Sequence, residues 1–295
     1  MNSIHHQKII DTHIHLWDLQ KYSYDWIKSA SAEKLKENYV LENFLQDSNS
    51  LNVEKAIHVQ AEINTNLNIQ ETKWLQSIAD NNTKGIPNAI IGFVDLAQDN
   101  VEEELEQHMQ FCNFRGIRQI LKYENKEEKN EPNLLKNKKW NHNLKFLEKK
   151  NLSFDLLIFY HQYKQAASVI DNYPQLHFVI NHTLWPQDVS DENFALWQNA
   201  INILASFENV SIKLSGFGER DSNWKLENIK GFVNYTIEKF GIERCMFASN
   251  FPVDKIYSTK LYSDYWNAYF SITSHFNQDE KNCLFYKNAE QIYKI

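Results

Sequence analysis

The segment Asp11-Thr12-His13-Ile14-His15 places two histidines two positions apart, directly after the apolar pair Ile9-Ile10. If this segment is a strand, its alternation directs Asp11, His13 and His15 to one face. Neutral imidazole is a good metal ligand, and imidazolium is a good hydrogen-bond donor. The pair therefore indicates a metal ion or a carbonyl group held at a strand end. Two ordinary histidines of the surface or core are the alternative.

Similar polar side chains stand at the ends of other short apolar runs. His58 and Gln60 are again two positions apart, which puts both on one face of a strand. Each such residue fits a structural role when taken singly, since Lys213, for example, could extend its ammonium to solvent. Together they place histidines, a lysine and an arginine on one rim of an acidic protein, which packing does not explain. The other members of this set are Arg118, His161, His182, Ser215 and Asn250.

The elements that must position these residues alternate between short apolar runs and longer amphipathic stretches. The runs are rich in Val, Ile and Phe and too continuous to be half exposed, which is typical of strands covered on both faces. Eight strands, each followed by a helix, predict an α/β fold of the (β/α)8 TIM-barrel type, with a doubly wound open sheet as the alternative. The predicted strands are Lys8–His15, Lys55–Ala61, Ile90–Leu96, Phe114–Leu121, Leu152–Phe159, His177–His182, Val210–Ser215 and Arg244–Ser249.

No linker or break in composition divides the chain, so residues 1–295 are predicted to form one domain. Two long excursions, Leu16–Glu54 and Lys122–Lys136, interrupt the rhythm of strands and helices. The charged run Glu124–Glu131 is predicted to be a solvated loop, with a lid over the site as the alternative. The segment 215–219 has one Gly-x-Gly and no third glycine, and is predicted to be an ordinary loop. The predicted helices are Asn66–Asn82, Val101–Cys112, Asn137–Lys150, Glu192–Phe207, Lys225–Phe240 and Asp279–Tyr293.

The composition excludes several classes of protein. A net charge of -7 and a pI near 5.9 argue against a nucleic-acid binder. No apolar stretch approaches the ~20 residues of a membrane span, and the first eight residues lack the apolar core of a secretory signal. We therefore expect a cytoplasmic protein that acts on a small molecule, with homo-oligomerisation left open. Its three cysteines are far apart and are expected to be reduced.

The opening motif Asp11-Thr12-His13-Ile14-His15-Leu16-Trp17-Asp18 is followed by further motifs in a fixed order. These are His58-Val59-Gln60-Ala61, Gly92-Phe93-Val94-Asp95-Leu96, Gly116-Ile117-Arg118, Phe154-Asp155-Leu156-Leu157, Val179-Ile180-Asn181-His182, Lys213-Leu214-Ser215-Gly216 and Met246-Phe247-Ala248-Ser249-Asn250-Phe251-Pro252-Val253. Over nearly the whole chain, this set resembles the amidohydrolase superfamily, in its branch of sugar-lactone and 2-pyrone-4,6-dicarboxylate lactonases. The set is specific for the family but not for any one substrate.

The resemblance implies roles for individual residues. His13 and His15 match a first-strand pair that binds zinc in some relatives and only contacts substrate in others. His182 matches the histidine that polarises the scissile carbonyl or completes the metal site. Arg118 matches a residue of the rim that helps to grip an anionic or hydroxylated substrate. Asn250 stands where the family's eighth strand supplies an aspartate, the general base that activates water.

Asn250 is the most consequential departure from the family pattern. An amide cannot take a proton from water near pH 7, and general base catalysis commonly contributes roughly 10²–10⁴-fold in rate. Asp254 can replace the missing base only if the chain turns back, because an extended four-residue gap covers about 13–14 Å. A histidine of the cluster is the other candidate base, and loss of hydrolysis is the third reading.

A second departure lies at the sixth strand, where Asn181-His182-Thr183-Leu184-Trp185-Pro186 replaces an Asp-His pair followed by glycine. Without a carboxylate neighbour, His182 has weaker support as a metal ligand. Two missing carboxylates lower the expectation of tight zinc binding, since zinc favours anionic ligands beside imidazole. One divalent metal held by His13, His15 and His182 and a metal-independent site therefore both stay open. Trp185 is predicted to form an apolar wall near the substrate.

The leading prediction is a hydrolase that opens a lactone, or a similar cyclic ester, of a small carboxylated or hydroxylated substrate. His182, with Lys213 or a metal, stabilises the oxyanion, and Asp254 or a cluster histidine activates water. The first alternative is a metal-dependent decarboxylase or carbon–carbon hydrolase of the same superfamily. The second is a barrel that has lost its chemistry and binds a ligand. The predicted substrate contacts are Arg118, Gln60, His58, His161 and Trp185.

Overall fold

Eight parallel strands form one sheet in the order in which they occur in the sequence. The structure is a computed structural model and describes residues 6–123, 133–184, 191–220 and 222–295. The predicted (β/α)8 barrel is confirmed, with each strand close to its predicted position. The strands are Ile9–Ile14 (β1), Val53–Val59 (β2), Ala89–Gly92 (β3), Phe114–Ile120 (β4), Ser153–Leu157 (β5), Phe178–Ile180 (β6), Val210–Leu214 (β7) and Cys245–Phe247 (β8).

Helices cover the outside of the barrel and bury the outward side chains of the strands. The excursion Leu16–Glu54 contains the helix Leu41–Ser48 and two 3₁₀ segments. The charged run Glu124–Glu131 lies outside the described residues. No helix in the described part of the chain is long and apolar enough to cross a membrane. The helices are Leu41–Ser48 (α1), Asn68–Asp80 (α2), Val101–His108 (α3), Lys138–Lys149 (α4), Tyr163–Asp171 (α5), Asp191–Ala205 (α6), Phe217–Arg220 (α7), Leu226–Phe240 (α8), Tyr262–Ile272 (α9), Gln278–Asn282 (α10) and Asn288–Tyr293 (α11).

The first and last strands meet at a short seam. Ile14 forms a parallel bridge with Phe251, and the backbone N–H of His15 donates to the Phe251 carbonyl oxygen at 2.8 Å. The N–H of Asn250 donates to the carbonyl oxygen of His13 at 2.9 Å. These bonds lie at the carboxyl ends of β1 and β8. Closure of the barrel therefore brings Asn250 beside the two histidines.

The C-terminal helix α11 packs against the interior of the barrel. Its Tyr293 belongs to a buried cluster with Ile10 of β1 and other residues of the strands. The Tyr293 hydroxyl donates to Asp155 Oδ1 at 3.1 Å, while the Lys213 ammonium lies 2.6 Å from Asp155 Oδ2. The Asn181 amide also donates to Asp155 Oδ2, at 2.9 Å. The core thus contains a buried ion pair whose carboxylate accepts from three donors.

An extra residue in β1 changes which side chains share a face. Asp11 pairs with Ala56 and Ile14 pairs with His58, so three steps along β1 match two along β2. One inserted residue reverses the face of the side chains that follow it. The carboxylate of Asp11 instead accepts from the Tyr262 hydroxyl at 2.9 Å. The predicted common face of Asp11 with the two histidines is therefore not observed.

Candidate active site

A cavity of about 170 Å³ opens at the carboxyl ends of the strands. The first excursion covers part of it, since Trp26, Ser31 and Ala32 line the cavity. Several residues predicted from strand ends meet here, together with acidic side chains that were not predicted. The polar lining includes His15, Glu62, Arg118, Lys122, His182, Glu219 and Asn250.

Three of the predicted histidines form a cluster. The Nδ1 of His15 lies 2.7 Å from the carbonyl oxygen of Val59, which assigns its proton to Nδ1 and leaves Nε2 as an acceptor. His13 Nε2 lies 3.2 Å from His15 Nε2 and donates to it. The ring centroids of His13 and His182 are 4.6 Å apart. Burial, aided by the Arg118 charge, lowers the pKa of His15 to about 3. Burial also lowers the pKa values of His13 and His182 well below their usual range, so all three are neutral near pH 7.

Arg118 is a buried cation beside this cluster. Its Nη2 donates to the carbonyl oxygen of Gln60 at 2.6 Å, and its Nη1 is 3.5 Å from His13 Nε2. Its Nε is buried without a hydrogen-bond partner among the described residues. Burial lowers the pKa of the guanidinium, but arginine keeps its charge in proteins. A fixed cation with an unused donor suits a site where negative charge develops on a carbonyl oxygen.

The residues around the histidine pair do not fit a zinc ion. Two nitrogen ligands of one tetrahedral zinc stand roughly 3.3 Å apart, and the Nε2 atoms of His13 and His15 have a similar spacing of 3.2 Å. The Arg118 guanidinium, however, adds a positive charge 3.5 Å from His13 Nε2. The positions that would supply carboxylates hold the amides of Asn181 and Asn250. Within the described residues, no group of three or more His, Cys, Asp or Glu side chains is arranged to hold a metal.

The loop that carries His182 has an unusual backbone. His182, Thr183 and Leu184 have φ angles of 54°, 53° and 59°, a left-handed conformation that is uncommon outside glycine and that clusters at functional sites. The His182 Nδ1 lies 3.0 Å from Ser215 Oγ. A Cβ on Gly216 would lie 2.6 Å from the Cβ of His182. The glycine is thus required for the close approach of the β6 and β7 loops.

Asn250 lies at the centre of an acidic pair. Its backbone φ is 60°, a conformation that asparagine tolerates better than most residues. Its Nδ2 donates to Glu219 Oε1 at 2.6 Å and to Asp254 Oδ1 at 2.7 Å. Its Oδ1 is buried without a hydrogen-bond partner among the described residues. Asn250 therefore holds two carboxyl groups in place.

Asp254 does turn back to the site, as the predicted substitute base would require. Its N–H donates to the carbonyl oxygen of Asn250 at 3.2 Å, within a 3₁₀ turn over Val253–Ile256. Its side chain is fully buried and does not line the cavity, since its Oδ2 accepts from the Gly218 N–H at 3.0 Å. Burial and the charge of Glu219 raise the pKa of Asp254 well above its usual value. A carboxyl group buried behind Asn250, without access to the cavity, does not fit the predicted base.

Glu219 and Glu62 are the two acidic cavity residues that the sequence interpretation missed, and Glu219 is the one bound to Asn250. It lies in α7, within the segment 215–219 that was predicted to be an ordinary loop. Burial raises the pKa of Glu219 to about 7, against the opposing effect of the Lys122 and Arg118 charges. A Cβ on Gly218 would lie 2.3 Å from the Tyr265 hydroxyl oxygen, so no side chain fits there. The two glycines of this segment were the available signal for a closely packed turn at the site.

His58 and Gln60 do not contribute side chains to this cavity. The neighbouring Val59 belongs to the cluster inside the barrel, so His58 and Gln60 point to the other side of β2. His58 Nδ1 accepts from the Leu16 N–H at 3.1 Å, and its Nε2 is 4.0 Å from a Glu71 carboxylate oxygen. Gln60 contributes its backbone carbonyl oxygen to Arg118 instead. The predicted substrate contacts of these two side chains do not match their placement.

The remaining predicted residues lie away from the described cavity or outside the described chain. His161 is exposed on the rim, with Nε2 3.1 Å from the carbonyl oxygen of Tyr123. Lys213 is fully buried in its ion pair with Asp155 and is not among the residues that line the cavity. Its predicted contact with an oxyanion does not fit this position. Trp185 lies outside the described residues.

Comparison with known sequences places these features in a family. The amidohydrolase family model matches residues 10–295. An uncharacterized protein, y4mH, of Sinorhizobium fredii is 36% identical over 297 residues, which cover 97% of this chain and 98% of that protein. The L-fucono-1,5-lactonase of Burkholderia multivorans is 24% identical over 255 residues, covering 83% of this chain and 82% of that enzyme.

A solved structure agrees with the family match. An amidohydrolase from Burkholderia multivorans, crystallised with bound zinc, superposes with a TM-score of 0.84 at 21% identity. The alignment covers 98% of this chain and 100% of that chain. At this identity the likeness shows the shared barrel, while the family follows from the sequence match. The family predicted from the motifs is therefore confirmed, and the chain belongs to the amidohydrolase family.

Proposed function

We propose that the protein hydrolyses a lactone, the cyclic ester of a small hydroxylated acid, in the cavity at the carboxyl ends of the strands. One observation carries this proposal: the buried Arg118 guanidinium has an unused Nε donor and lies beside neutral histidines. Ester hydrolysis places negative charge on the carbonyl oxygen, and preorganised donors in a buried site stabilise that charge. The similarity to an enzyme named L-fucono-1,5-lactonase supports the same reaction class.

Arg118 is the main group that binds the carbonyl oxygen in this proposal. Its Nη2 bond to the Gln60 carbonyl holds the guanidinium in place, so little reorganisation is needed as charge develops. His182 lines the same cavity and supplies a second polar contact to the substrate. Because burial keeps His182 neutral, it acts as a hydrogen-bonding group rather than as a second cation.

The lining favours a hydroxylated substrate without several carboxylates. Glu62 and Glu219 both line the cavity, and their oxygens accept hydrogen bonds from hydroxyl groups. A substrate with two or more carboxylates would meet these acids at short range, where like charges repel. Trp26 adds apolar surface to the same wall. We therefore propose a neutral sugar lactone in preference to a pyrone dicarboxylate.

The proposed reaction does not use a metal. The positive charge of Arg118, close to His13, opposes the binding of a zinc ion there. The amides of Asn181 and Asn250 stand where anionic ligands would be needed. A metal-dependent decarboxylase requires a firmly bound divalent ion. The ligand set around His13 and His15 therefore ranks that alternative behind hydrolysis.

Acid release from a substrate panel tests the proposal. Five- and six-membered aldonolactones and 2-pyrone-4,6-dicarboxylate would each be incubated with the purified protein, with and without a chelator. We expect acid release from at least one neutral aldonolactone and a much slower reaction with the dicarboxylate. The absence of acid release above the spontaneous rate from every lactone of the panel would contradict the proposed function. Faster hydrolysis of the dicarboxylate would retain lactone hydrolysis but overturn the proposed substrate class.

A further inference from the structure

We infer that Glu219 takes the proton from the attacking water, the task that the expected aspartate of β8 cannot perform here because the position holds Asn250. This inference rests on the proposed lactone hydrolysis and names the base of that reaction. Glu219 lines the cavity together with Arg118, His182 and Asn250. It comes from α7, which follows β7, and thus from a neighbouring loop of the same active face.

Asn250 holds the Glu219 carboxylate next to the position of the missing base. Because Asn250 Nδ2 lies 2.6 Å from Glu219 Oε1, the carboxylate is only one hydrogen bond away from the β8 side chain. The second hydrogen of the same amide goes to Asp254 Oδ1 at 2.7 Å. Both donors of Asn250 are used in this way, so one amide fixes the positions of both carboxyl groups.

The two carboxyl groups on this amide differ in their access to the cavity. Asp254 lies behind Asn250 and does not line the cavity, and burial and the Glu219 charge raise its pKa well above its usual value. Glu219 faces the cavity and is negatively charged in its carboxylate form. Both Lys122 and Arg118 favour that charge, whereas Glu62 opposes it. Tyr257 is also affected, since the Glu219 charge raises the pKa of that phenol beyond the effect of burial.

Burial places Glu219 in the range where a carboxylate is an effective base. Its pKa of about 7 is higher than that of an exposed glutamate, so its carboxylate is more basic and yet still populated near neutral pH. The histidines of the cluster are a poorer choice, because burial and neighbouring cations oppose the charge they would gain. Glu219 is thus better placed than the histidines of the cluster to accept a proton.

The reaction balances with one water molecule and no other reagent. The water oxygen bonds to the lactone carbonyl carbon, one O–H bond breaks, and that proton goes to Glu219. The carbonyl electron pair moves to the oxygen near Arg118. When this intermediate collapses, the bond between the carbonyl carbon and the ring oxygen breaks, and the ring oxygen takes the proton from Glu219. The product is the open hydroxy acid, and Glu219 returns to its carboxylate form.

The Glu219→Gln variant separates this role from a structural one. Glutamine still offers an oxygen to the Asn250 amide but cannot take a proton near pH 7. We expect kcat to fall by roughly 10²–10⁴-fold with little change in KM. Glu227→Gln, an exposed glutamate on α8, is the matched control and should keep the wild-type rate. The double variant Glu219→Gln/Asn250→Asp returns a carboxylate to the β8 position and should regain at least about tenfold in kcat.

The pH profile of the wild-type enzyme gives a test that needs no variant. We expect kcat/KM to rise with pH through an apparent pKa near 7, because Glu219 must be ionised to act. A profile without that rise between about pH 5 and 8 would overturn the role of Glu219 even if Glu219→Gln did not fold.

The outcomes distinguish the two proposals. A wild type that hydrolyses lactones beside a folded Glu219→Gln variant of similar kcat would overturn this inference and leave the proposed function standing. A wild type that hydrolyses no lactone of the panel would overturn the proposed function, and the inference with it. A loss of kcat in Glu219→Gln would support Glu219 as the base even if the double variant did not recover activity. Recovery in the double variant tests only whether a carboxylate at position 250 can take over the same task.

Discussion

Two carboxylates in this barrel, one fully buried and one partly buried, have opposite surroundings. Asp155, inside the barrel wall, lies 2.6 Å from the Lys213 ammonium and also accepts from Tyr293 and Asn181. Glu219, at the carboxyl ends of the strands, accepts from the neutral amide of Asn250 and faces a cavity. A buried charge beside a cation stays where the fold needs it, whereas one held by an amide keeps the ability to exchange a proton. The contrast separates a carboxylate that serves the structure from one that serves the chemistry.

Buried polar atoms without hydrogen-bond partners in the described part of the chain lie near both carboxylates, and Asn181 Oδ1 is one of them beside Asp155. At the cavity, His13 Nδ1, Arg118 Nε and Asn250 Oδ1 are buried without hydrogen-bond partners among the described residues. Leaving a polar group buried and unpaired costs about 1–3 kcal/mol, so such groups persist where function requires them. Three consecutive residues from His182 to Leu184 also adopt left-handed backbone conformations at this end. The carboxyl ends of the strands therefore carry hydrogen-bonding groups that are not paired within the described protein.

The largest effect should come from breaking the structural pair. Lys213→Met leaves Asp155 buried without its cation, and we expect the free energy of unfolding to fall by about 3–5 kcal/mol. Urea unfolding followed by circular dichroism measures this change. The double variant Lys213→Met/Asp155→Leu should recover much of the loss, because no unpaired charge remains. A Lys213→Met protein of normal stability but greatly reduced kcat would instead support the catalytic role that the sequence suggested for this lysine.

The next effect concerns the cation at the cavity. We expect Arg118→Met to lower kcat/KM by roughly 10²–10³-fold, the usual result of removing one oxyanion donor. Steady-state kinetics on the best aldonolactone measures it. Arg118→Lys keeps the charge but not the planar donor arrangement, so it should recover only part of the rate. Equal rates for Arg118→Met and the wild type would remove Arg118 from the mechanism.

The pH dependence of the unfolding free energy should report the proton that Glu219 exchanges. The pKa of Glu219 is raised from its ordinary 4.5 to about 7, so between these values the unfolded chain releases a proton that the folded chain retains. Wild-type stability therefore falls as pH rises through this interval, by up to roughly 3 kcal/mol for this group. Glu219→Gln lacks this contribution, and its unfolding free energy relative to the wild type should increase from pH 4.5 to 7. Parallel stability curves for the two proteins would show that Glu219 titrates normally.

The smallest expected effect is that of metal removal. Dialysis against a chelator should leave kcat within about twofold, since the surroundings of His13 and His15 do not fit zinc. Activity measured before and after dialysis, with metal content determined on the same samples, checks this. Loss of activity that added zinc restores would show that the Arg118 side chain moves to admit an ion.

The fold could be predicted from sequence because its signal is local and repeated. Strands covered on both faces leave short, continuous apolar runs, and the helices between them are long enough to recognise. Residues at or near the carboxyl ends of strands, such as His13, His182 and Arg118, meet at one face because the barrel places all strand ends there. Eight repeats make the prediction robust to errors at the ends of single elements.

The direction of individual side chains could not be predicted in the same way. The extra residue in β1 separates Asp11 from the histidines, and nothing in the local pattern marks it. His58 was expected at the cavity, but Val59 faces the inside of the barrel instead. The sequence pattern does not show which of two adjacent strand residues faces inward. Glu219 was missed because it does not end a strand. Its place depends on Gly216 and Gly218, whose neighbours His182 and Tyr265 are distant in sequence.

The hydrogen bonds between β1 and β8 both close the barrel and assemble the active site. The bonds that close the ring, from Asn250 to His13 and from His15 to Phe251, involve the same backbone that carries the histidine pair and the amide that holds Glu219. A chain with seven strands in place and the eighth detached would keep most of its secondary structure yet have no assembled site. Turnover should then vanish at lower denaturant concentrations than helical signal does. The enzyme's own reaction would thus report the last contact that completes the barrel.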